Sequence, residues 1–388
     1  MDAIILAAGE GARLKGWTSD KPKGMITLGN APILEHIVHG LSTSGIRKIN
    51  MVVGYRKNLV MSHFGDGSKF GIKINYIEQS TLSGTLDALK LGLKDISKHF
   101  ILVPGDNYIS SSSFPPLINN ERPALLAGKA DRWSKWGEIE FVGSKAKITF
   151  ENPEAFGRLH FTGIMKLDVD IAQKLISAGG RHIGEALQKI EEDVNFDVIR
   201  SDYWHNIVYP WDLIDGNRLA LLNLFLSKSG KIERNVTLKG PISIGLGSVI
   251  CSGSYLEGPI SIGDNCVIGP STFIGSSVSI GDNTRIGAFS EIKDSILMSD
   301  SVIGSYNSIV GTVVGNGTET GTNVIANPSN RQVTYLDHTV SLSNRGSMIG
   351  NRCNIGNRAV LDGGSILLEG ATIGEGEVYN ADFQGDTI

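Results

Sequence analysis

Between residues 232 and 298 a long aliphatic side chain recurs at every sixth position: Ile232, Leu238, Ile244, Ile250, Leu256, Ile262, Ile268, Ile274, Ile280, Ile286, Ile292 and Met298. A period of six fits neither an α-helix nor a half-buried strand. It is the period of a parallel β-helix, where each repeat gives one short strand to a face of a triangular prism and the aliphatic fills the axis. Glycine follows at Gly245, Gly263, Gly269, Gly275, Gly281 and Gly287, and glycine or a polar residue is expected to make the corner. No repeat can bury its own face, so the coils must stack on one continuous core. Register slips near Ile303, breaks across Asn327–Ser347 and resumes at Ile349, Ile355, Leu361, Leu367 and Ile373. The break predicts a loop or hairpin leaving the prism.

The first 200 or so residues have a different rhythm. Short apolar runs at Ala3–Ala7, Ile49–Val53, Ile72–Ile77 and Phe100–Val103 predict strands. Segments Ile33–Thr43, Lys57–Phe64 and Thr85–Asp95 between them predict helices. Such alternation implies an α/β, Rossmann-like domain with a mainly parallel sheet, whose ligands bind at the carboxyl ends of the strands. Residues 211–228 read as a connecting helix. At 388 residues two domains are expected, 1–228 and 229–388, with an insertion at about 327–347.

The net charge of −4 gives no general attraction for nucleic acid, so anion binding must come from local cations. Three cysteines without a C-x-x-C pair read as reduced and structural, as in a cytoplasmic protein. No apolar stretch approaches the roughly 18 residues of a membrane span.

Directly after the first strand the chain reads GEGARLKGWTSDKPK, from Gly9 to Lys23. Gly9 and Gly11 can bring backbone N–H groups close to phosphate oxygens, and only glycine allows that approach. Arg13 and Lys23 supply fixed positive charge. Asp106 follows the strand Phe100–Val103, at a place suited to holding magnesium on substrate phosphates. Gln79, after the strand Ile72–Ile77, can both donate to and accept from a pyrimidine edge. Gly84 and Thr85 follow it.

The order and spacing of these blocks resemble the sugar-1-phosphate nucleotidyltransferases. Gly9, Gly11, Arg13, Leu14, Thr18, Pro22 and Lys23 fall in register with that family's first block. The resemblance implies that a sugar 1-phosphate attacks the α-phosphorus of a nucleoside triphosphate and pyrophosphate leaves. Leu6, Ala7, Gln79, Gly84 and Thr85 would then hold the nucleotide, UTP or dTTP. Arg13 and Lys23 would bind phosphates, Asp106 and Asn206 the Mg2+, and Gly137, Glu151, Thr162 and Gly163 the sugar. Three positions depart from the family's pattern. Asn152 stands where a phosphate-binding lysine is common, Asn206 where the second metal ligand is often aspartate, and Val208 where a glycine follows it.

The repeat region resembles the left-handed β-helices of long archaeal and bacterial members, some of which also acetylate an amino sugar phosphate from acetyl-CoA. In those, a histidine serves; here Tyr306 aligns with it, and the repeat region's single histidine, His338, lies in the break. The resemblance implies a homo-oligomer, trimeric through the β-helix. Acetyl transfer and a non-catalytic, nucleotide-sugar-binding subunit are the two alternatives.

Overall fold

The computed structural model describes residues 1–96, 98–129, 137–142, 145–149, 159–190, 192–201, 203–224, 226–336 and 338–380. The chain divides into two compact units. One comprises Met1–Gly11, Asp20–Ile26 and Pro32–Asn206; the other comprises Ala12–Ser19, Thr27–Ala31 and Ile207–Ile388.

In the first unit, strands and helices alternate as β1 (Asp2–Ala7), α1 (Ile33–Thr43), β2 (Lys48–Val53), α2 (Lys57–Phe64), β3 (Lys73–Glu78), α3 (Thr85–Gly92), β4 (His99–Pro104) and β5 (Asn107–Ile109). There follow α4 (Phe114–Asn119), β6 (Ala124–Lys129), β7 (Glu138–Val142), β8 (Lys145–Thr149), β9 (Leu159–Asp168), α5 (Val169–Ala178), α6 (Ile183–Ile190), β10 (Asp197–Ser201) and β11 (Trp204–Asn206). Among the described residues nine strands form one mixed sheet. Its main path is β8-β7-β9-β4-β1-β2-β3, with β6 beside β9 and β10 beside β6. β1 runs parallel to both β2 and β4, and β2 parallel to β3.

The apolar runs are explained by burial on both faces: Ile4, Ile5, Ile101, Leu102, Met51 and Val52 are fully buried. The helix expected through Asp95 stops at Gly92. A Cβ there would lie 2.5 Å from Ile4 Cγ2, so the helix end is pressed onto β1. Asp95 then turns out with φ 55°.

The chain winds outward through β1, β2 and β3, then returns to place β4 on the other side of β1. The strand order therefore reverses between β1 and β4, and open α/β sheets bind ligands at such a reversal.

The second unit holds the left-handed parallel β-helix expected from the period. Its three faces are parallel sheets of eight, eight and seven strands among the described residues. On one face Ile250, Ile268, Ile286 and Ile303 stack; on another, Leu256, Ile274, Ile292 and Ile309. The expected series is corrected at its last member. Leu297, not Met298, stacks on Ile280, because this coil position comes five residues after Ile292 and not six. The shortened corner is taken by Asp294 at φ 48°.

Glycine's place in the coil also differs from a simple corner residue. Gly263, Gly281 and Gly287 have no positive φ; the left-handed conformation falls two residues on, at Asn265, Asn283 and Phe289. What excludes a side chain is the next coil. A Cβ on Gly263 would lie 2.2 Å from Asp282 Oδ1 and 2.8 Å from its backbone nitrogen.

The break is a two-stranded antiparallel hairpin, Ser329–Tyr335 with His338–Arg345. At its base Arg345 donates to Asp215 at 2.5 and 2.7 Å, on α7 (Asp212–Leu222). α7 is shorter than the helix expected over 211–228. Ser227 and Ser229 are instead captured by the first coil, Ile244 donating to Ser227 O and accepting from Ser229 N. Burial in the coil pushes the Cys266 and Cys353 thiols up from their ordinary range, and both are free. No helix among the described residues is long and apolar enough to cross a membrane.

Candidate active site

Four parallel strands deliver the sequence-predicted residues to one edge of the sheet. β4 leads into Gly105 and Asp106, β1 into Ala8 and the glycine loop, β2 into Gly54, and β3 into Gln79. The loops continue the ladder for one more bond each. Gly105 N donates to Leu6 O (2.8 Å), Tyr55 N to Ala8 O (3.0 Å) and Gln79 N to Val53 O (2.8 Å). Leu6 and Ala7, both half-buried, thus sit between the Asp106 and Gln79 loops.

Lys23 enters this edge from a short turn in which Met25 N donates to Pro22 O at 2.8 Å and Ile26 N to Lys23 O at 3.0 Å. Its Nζ donates to Asp106 Oδ2 at 2.9 Å, and the residue is only 8% exposed. Two charges taken from water are tolerable when paired this closely. Gly11 has φ 81°, and a Cβ there would sit 2.7 Å from Lys23 Cβ. Gly11 is therefore demanded twice, by its left-handed backbone and by the lysine lying across it. Around Gly9 a Cβ would meet nothing within 4 Å, so the start of the loop faces open space.

Asn206 reaches the same corner through β11. β11 pairs antiparallel with β5, and Asn206 lies opposite Asn107, the neighbour of Asp106. Both side-chain polar atoms of Asn206 are buried without a hydrogen-bond partner among the described residues. Asn107 Nδ2 donates to Thr162 O at 2.9 Å, tying this corner to the next predicted subsite.

That subsite is a bulge in β9. Register shifts between Phe161 and Met165, with Gly163 at φ 80°. The Thr162 hydroxyl holds the bulge, donating to Leu126 O (2.8 Å) and accepting from Ile164 N (3.2 Å). Gly137 joins it, its carbonyl accepting from Phe161 N at 3.0 Å. Glu151 lies outside the described residues.

Gln79 is 5% exposed. Its Nε2 donates to Gly84 O and to Asp87 Oδ2, each at 3.1 Å. Gly84 has φ 117°, and a Cβ would fall 2.1 Å from Arg181 O. Thr85 Oγ1 accepts from Ile183 N at 3.0 Å, so α6 pins the start of α3. Asp87 escaped the sequence reading because an acid in the first turn of a helix reads as a partner for the helix dipole.

Arg13 belongs to the second unit. Tyr335, in the hairpin, donates its hydroxyl to Arg13 O at 3.0 Å. The guanidinium lies over the Tyr209 ring, 5.9 Å from its centroid. The sequence carried no sign of these two tyrosines, since their sequence distance from Arg13 is large and their approach depends on the fold.

Among the described residues no group of three or more His, Cys, Asp or Glu side chains could hold a metal on its own. Asp106 and Asn206 fit a different kind of site. A hard cation such as magnesium takes one or two protein oxygens and completes its shell with phosphate and water. The buried, unpartnered amide of Asn206, on the residue paired with the chain neighbour of Asp106, is compatible with that description.

The sequence profile of the nucleotidyl transferase family matches residues 2–219, more than half of the chain, and the chain belongs to that family. Residues 256–344 match the profile of the GMPPB C-terminal domain. Over 230 residues the chain is 32% identical to the UTP–glucose-1-phosphate uridylyltransferase AglF of Haloferax volcanii, covering 55% of this chain and 93% of that protein. It is 31% identical to the bifunctional protein GlmU of Methanococcus aeolicus over 261 residues, 64% of this chain and 62% of that protein. The match thus spans less than two thirds of the longer relative. A Bacillus anthracis chain assigned as a glucose-1-phosphate thymidylyltransferase, solved with sucrose, superposes with a TM-score of 0.53 at 22% identity. That likeness, over 59% of this chain and 98% of the other, is one of fold.

Proposed function

We propose that this chain transfers a nucleotidyl group from UTP or dTTP to a hexose 1-phosphate. The observation that carries the reading is the Lys23–Asp106 pair at the strand-order reversal, flanked by the Gly9–Gly11 loop. A phosphate oxygen of the sugar 1-phosphate attacks the α-phosphorus. The bond from the α-phosphorus to the bridging oxygen breaks, and pyrophosphate leaves with that electron pair. The nucleophile is already an anion, so no general base is needed.

What remains for the protein is positioning and charge stabilisation. Gly11 and its neighbours offer backbone donors to the phosphates. Lys23 holds positive charge where the phosphoryl group gathers negative charge. Arg13 adds a second phosphate cation. Gln79, with Gly84 and Thr85, takes the base; Gly137, Thr162, Gly163 and Glu151 take the sugar. Asp106 and Asn206 would hold magnesium, which supplies charge neutralisation on the phosphates when bound. The reading includes a cytoplasmic homo-oligomer, trimeric through the β-helix, which light scattering would check.

The test is a pyrophosphate-release matrix crossing UTP, dTTP, ATP and GTP with glucose, N-acetylglucosamine, glucosamine and mannose 1-phosphates, with and without magnesium. Turnover confined to UTP and dTTP and dependent on magnesium is the expected result. A blank matrix would reject the reading in favour of a nucleotide-sugar-binding subunit.

A further inference from the structure

The amide of Gln79 has two donors and one acceptor atom, and the structure shows where both donors go. One points to the carbonyl of Gly84 and the other to Asp87 Oδ2, each at 3.1 Å. A backbone carbonyl can only accept. An ionised carboxylate can only accept as well. Asp87 is kept ionised, its carboxyl held below the usual carboxylate range first by the Ser83 hydroxyl and then by Gln79 itself. Ser83 Oγ donates to the same Oδ2 at 2.6 Å. Reversing the amide would set its oxygen against two acceptors, so chemistry fixes its orientation.

We infer that Asp87 is a specificity-determining residue: it holds the Gln79 amide so that only a carbonyl oxygen is left to meet the base. This rests on the nucleotidyltransferase reading above and goes beyond it. An acceptor-only group pairs with a ring N–H. Uracil and thymine carry one at N3. Cytosine carries a lone pair at the same position, and adenine one at N1, so either would bring acceptor against acceptor. Ser83 and Asp87 thus convert a glutamine that could read any base edge into one that refuses cytosine. Burial sharpens the refusal, since Gln79 as a residue is only 5% exposed and a mismatched base would shut out the water that its oxygen could otherwise bond. Asp87 contacts no base itself; it acts through Gln79.

The experiment is calorimetric binding of UTP, CTP and 3-methyluridine triphosphate to the full chain, for the unaltered protein, Asp87→Asn and Ser83→Ala. The unaltered protein should favour UTP over CTP by at least about tenfold, with the 3-methyl compound as weak as CTP. The side chain introduced by Asp87→Asn can offer an NH2 of its own to Gln79, leaving Gly84 O as the one acceptor that opposes reversal of the amide. In Asp87→Asn the UTP-to-CTP ratio should therefore fall by about tenfold, and in Ser83→Ala by less. A merely structural role for Asp87 would weaken both nucleotides equally and leave the ratio alone; that result overturns the inference. So does equal binding of UTP and CTP by the unaltered protein. Should Asp87→Asn fail to fold, an unchanged ratio in Ser83→Ala together with tight binding of the 3-methyl compound overturns it. No binding of any nucleotide to the unaltered protein would instead remove the underlying reading.

Discussion

The two units of this chain put glycine, burial and hydrogen bonding to opposite uses. In the β-helix, Gly263 is present because the next coil leaves no room for a side chain. In the α/β unit, Gly11 is present because a charged lysine must lie across a left-handed turn. The β-helix repeats one solution along an axis, and its core is a stack of aliphatics such as Ile268, Ile280 and Ile292. The α/β unit builds one place once, from the ends of four strands and from β11, which arrives nearly a hundred residues after Asp106. Repetition spreads stability over many equal contacts; a site concentrates function in a few unequal ones. Substitutions should therefore separate activity from stability according to the unit they fall in.

The largest effect is expected at the charged pair. Lys23→Ala and Asp106→Ala should each lower kcat by about a hundredfold or more, the scale of losing one group that stabilises charge at a reacting centre. Pyrophosphate release measures this, and circular dichroism should show the secondary structure retained. Rates near normal in both variants would mean that the chemistry lies elsewhere and the comparison fails at its first term.

Ile280→Ala should do the reverse. Ile280 is fully buried in the prism and stacks on Ile262 and Leu297. Truncation removes packed methyl groups and leaves a cavity that flanking coils cannot fill, a cost of about 2–5 kcal/mol. Thermal melting of the variant should shift down by several degrees. A melting profile identical to that of the unaltered protein would show that the stacked aliphatics do not carry the core.

The two glycines sharpen the contrast at smaller scale. Gly263→Ala must push Asp282 aside, a strain of about 1–3 kcal/mol, and should lower the melting temperature with kcat unchanged. Gly11→Ala should cost stability comparably, through its φ and its clash with Lys23, but should also lower kcat because the displaced group is the lysine. If both variants lose stability alone, Gly11 is a turn residue and nothing more.

The same contrast governs how far the sequence could be read. The β-helix was legible because its period is local: Ile232 to Ile292 repeat every six residues, and the coil follows. Reading failed there where the period itself slipped, at Leu297, where a shortened corner moves the next core position by one, and in the place of glycine, which the next coil demands while the left-handed corner falls at residues such as Asn265. The α/β unit was legible as a row of strands and as a set of chemical types, since Gly11 and Lys23 suit a phosphate, Asp106 a metal on it and Gln79 a base. Their mutual arrangement was not. That Lys23 meets Asp106, that Asn206 lies opposite Asn107, and that Asp87 fixes Gln79 depend on strand pairing and loop closure between distant segments. The Thr162 hydroxyl shows the same limit. Its residue type suits a sugar, while its donor is spent on Leu126 O inside a bulge that no local pattern announces.

Asn206 supplies the smallest and most discriminating test. A neutral amide holds a hard cation less strongly than a carboxylate does, because the ion's attraction falls on a dipole in place of a full charge. Both Asn206 polar atoms lack a hydrogen-bond partner among the described residues, so replacing Asn206 breaks no side-chain hydrogen bond among them. Asn206→Asp should lower the magnesium concentration needed for half-maximal turnover by a few-fold, with the melting temperature in excess magnesium unchanged. Asn206→Ala should raise that concentration, leaving Asp106 as the single protein ligand. Without metal the Asn206→Asp variant gathers two carboxylates in one corner. It should then melt below the unaltered protein and recover on magnesium addition, a readout independent of catalysis. If magnesium titrations of both variants overlay that of the unaltered protein, the amide is no ligand, and the β5–β11 pairing serves to hold the Asp106 loop in shape.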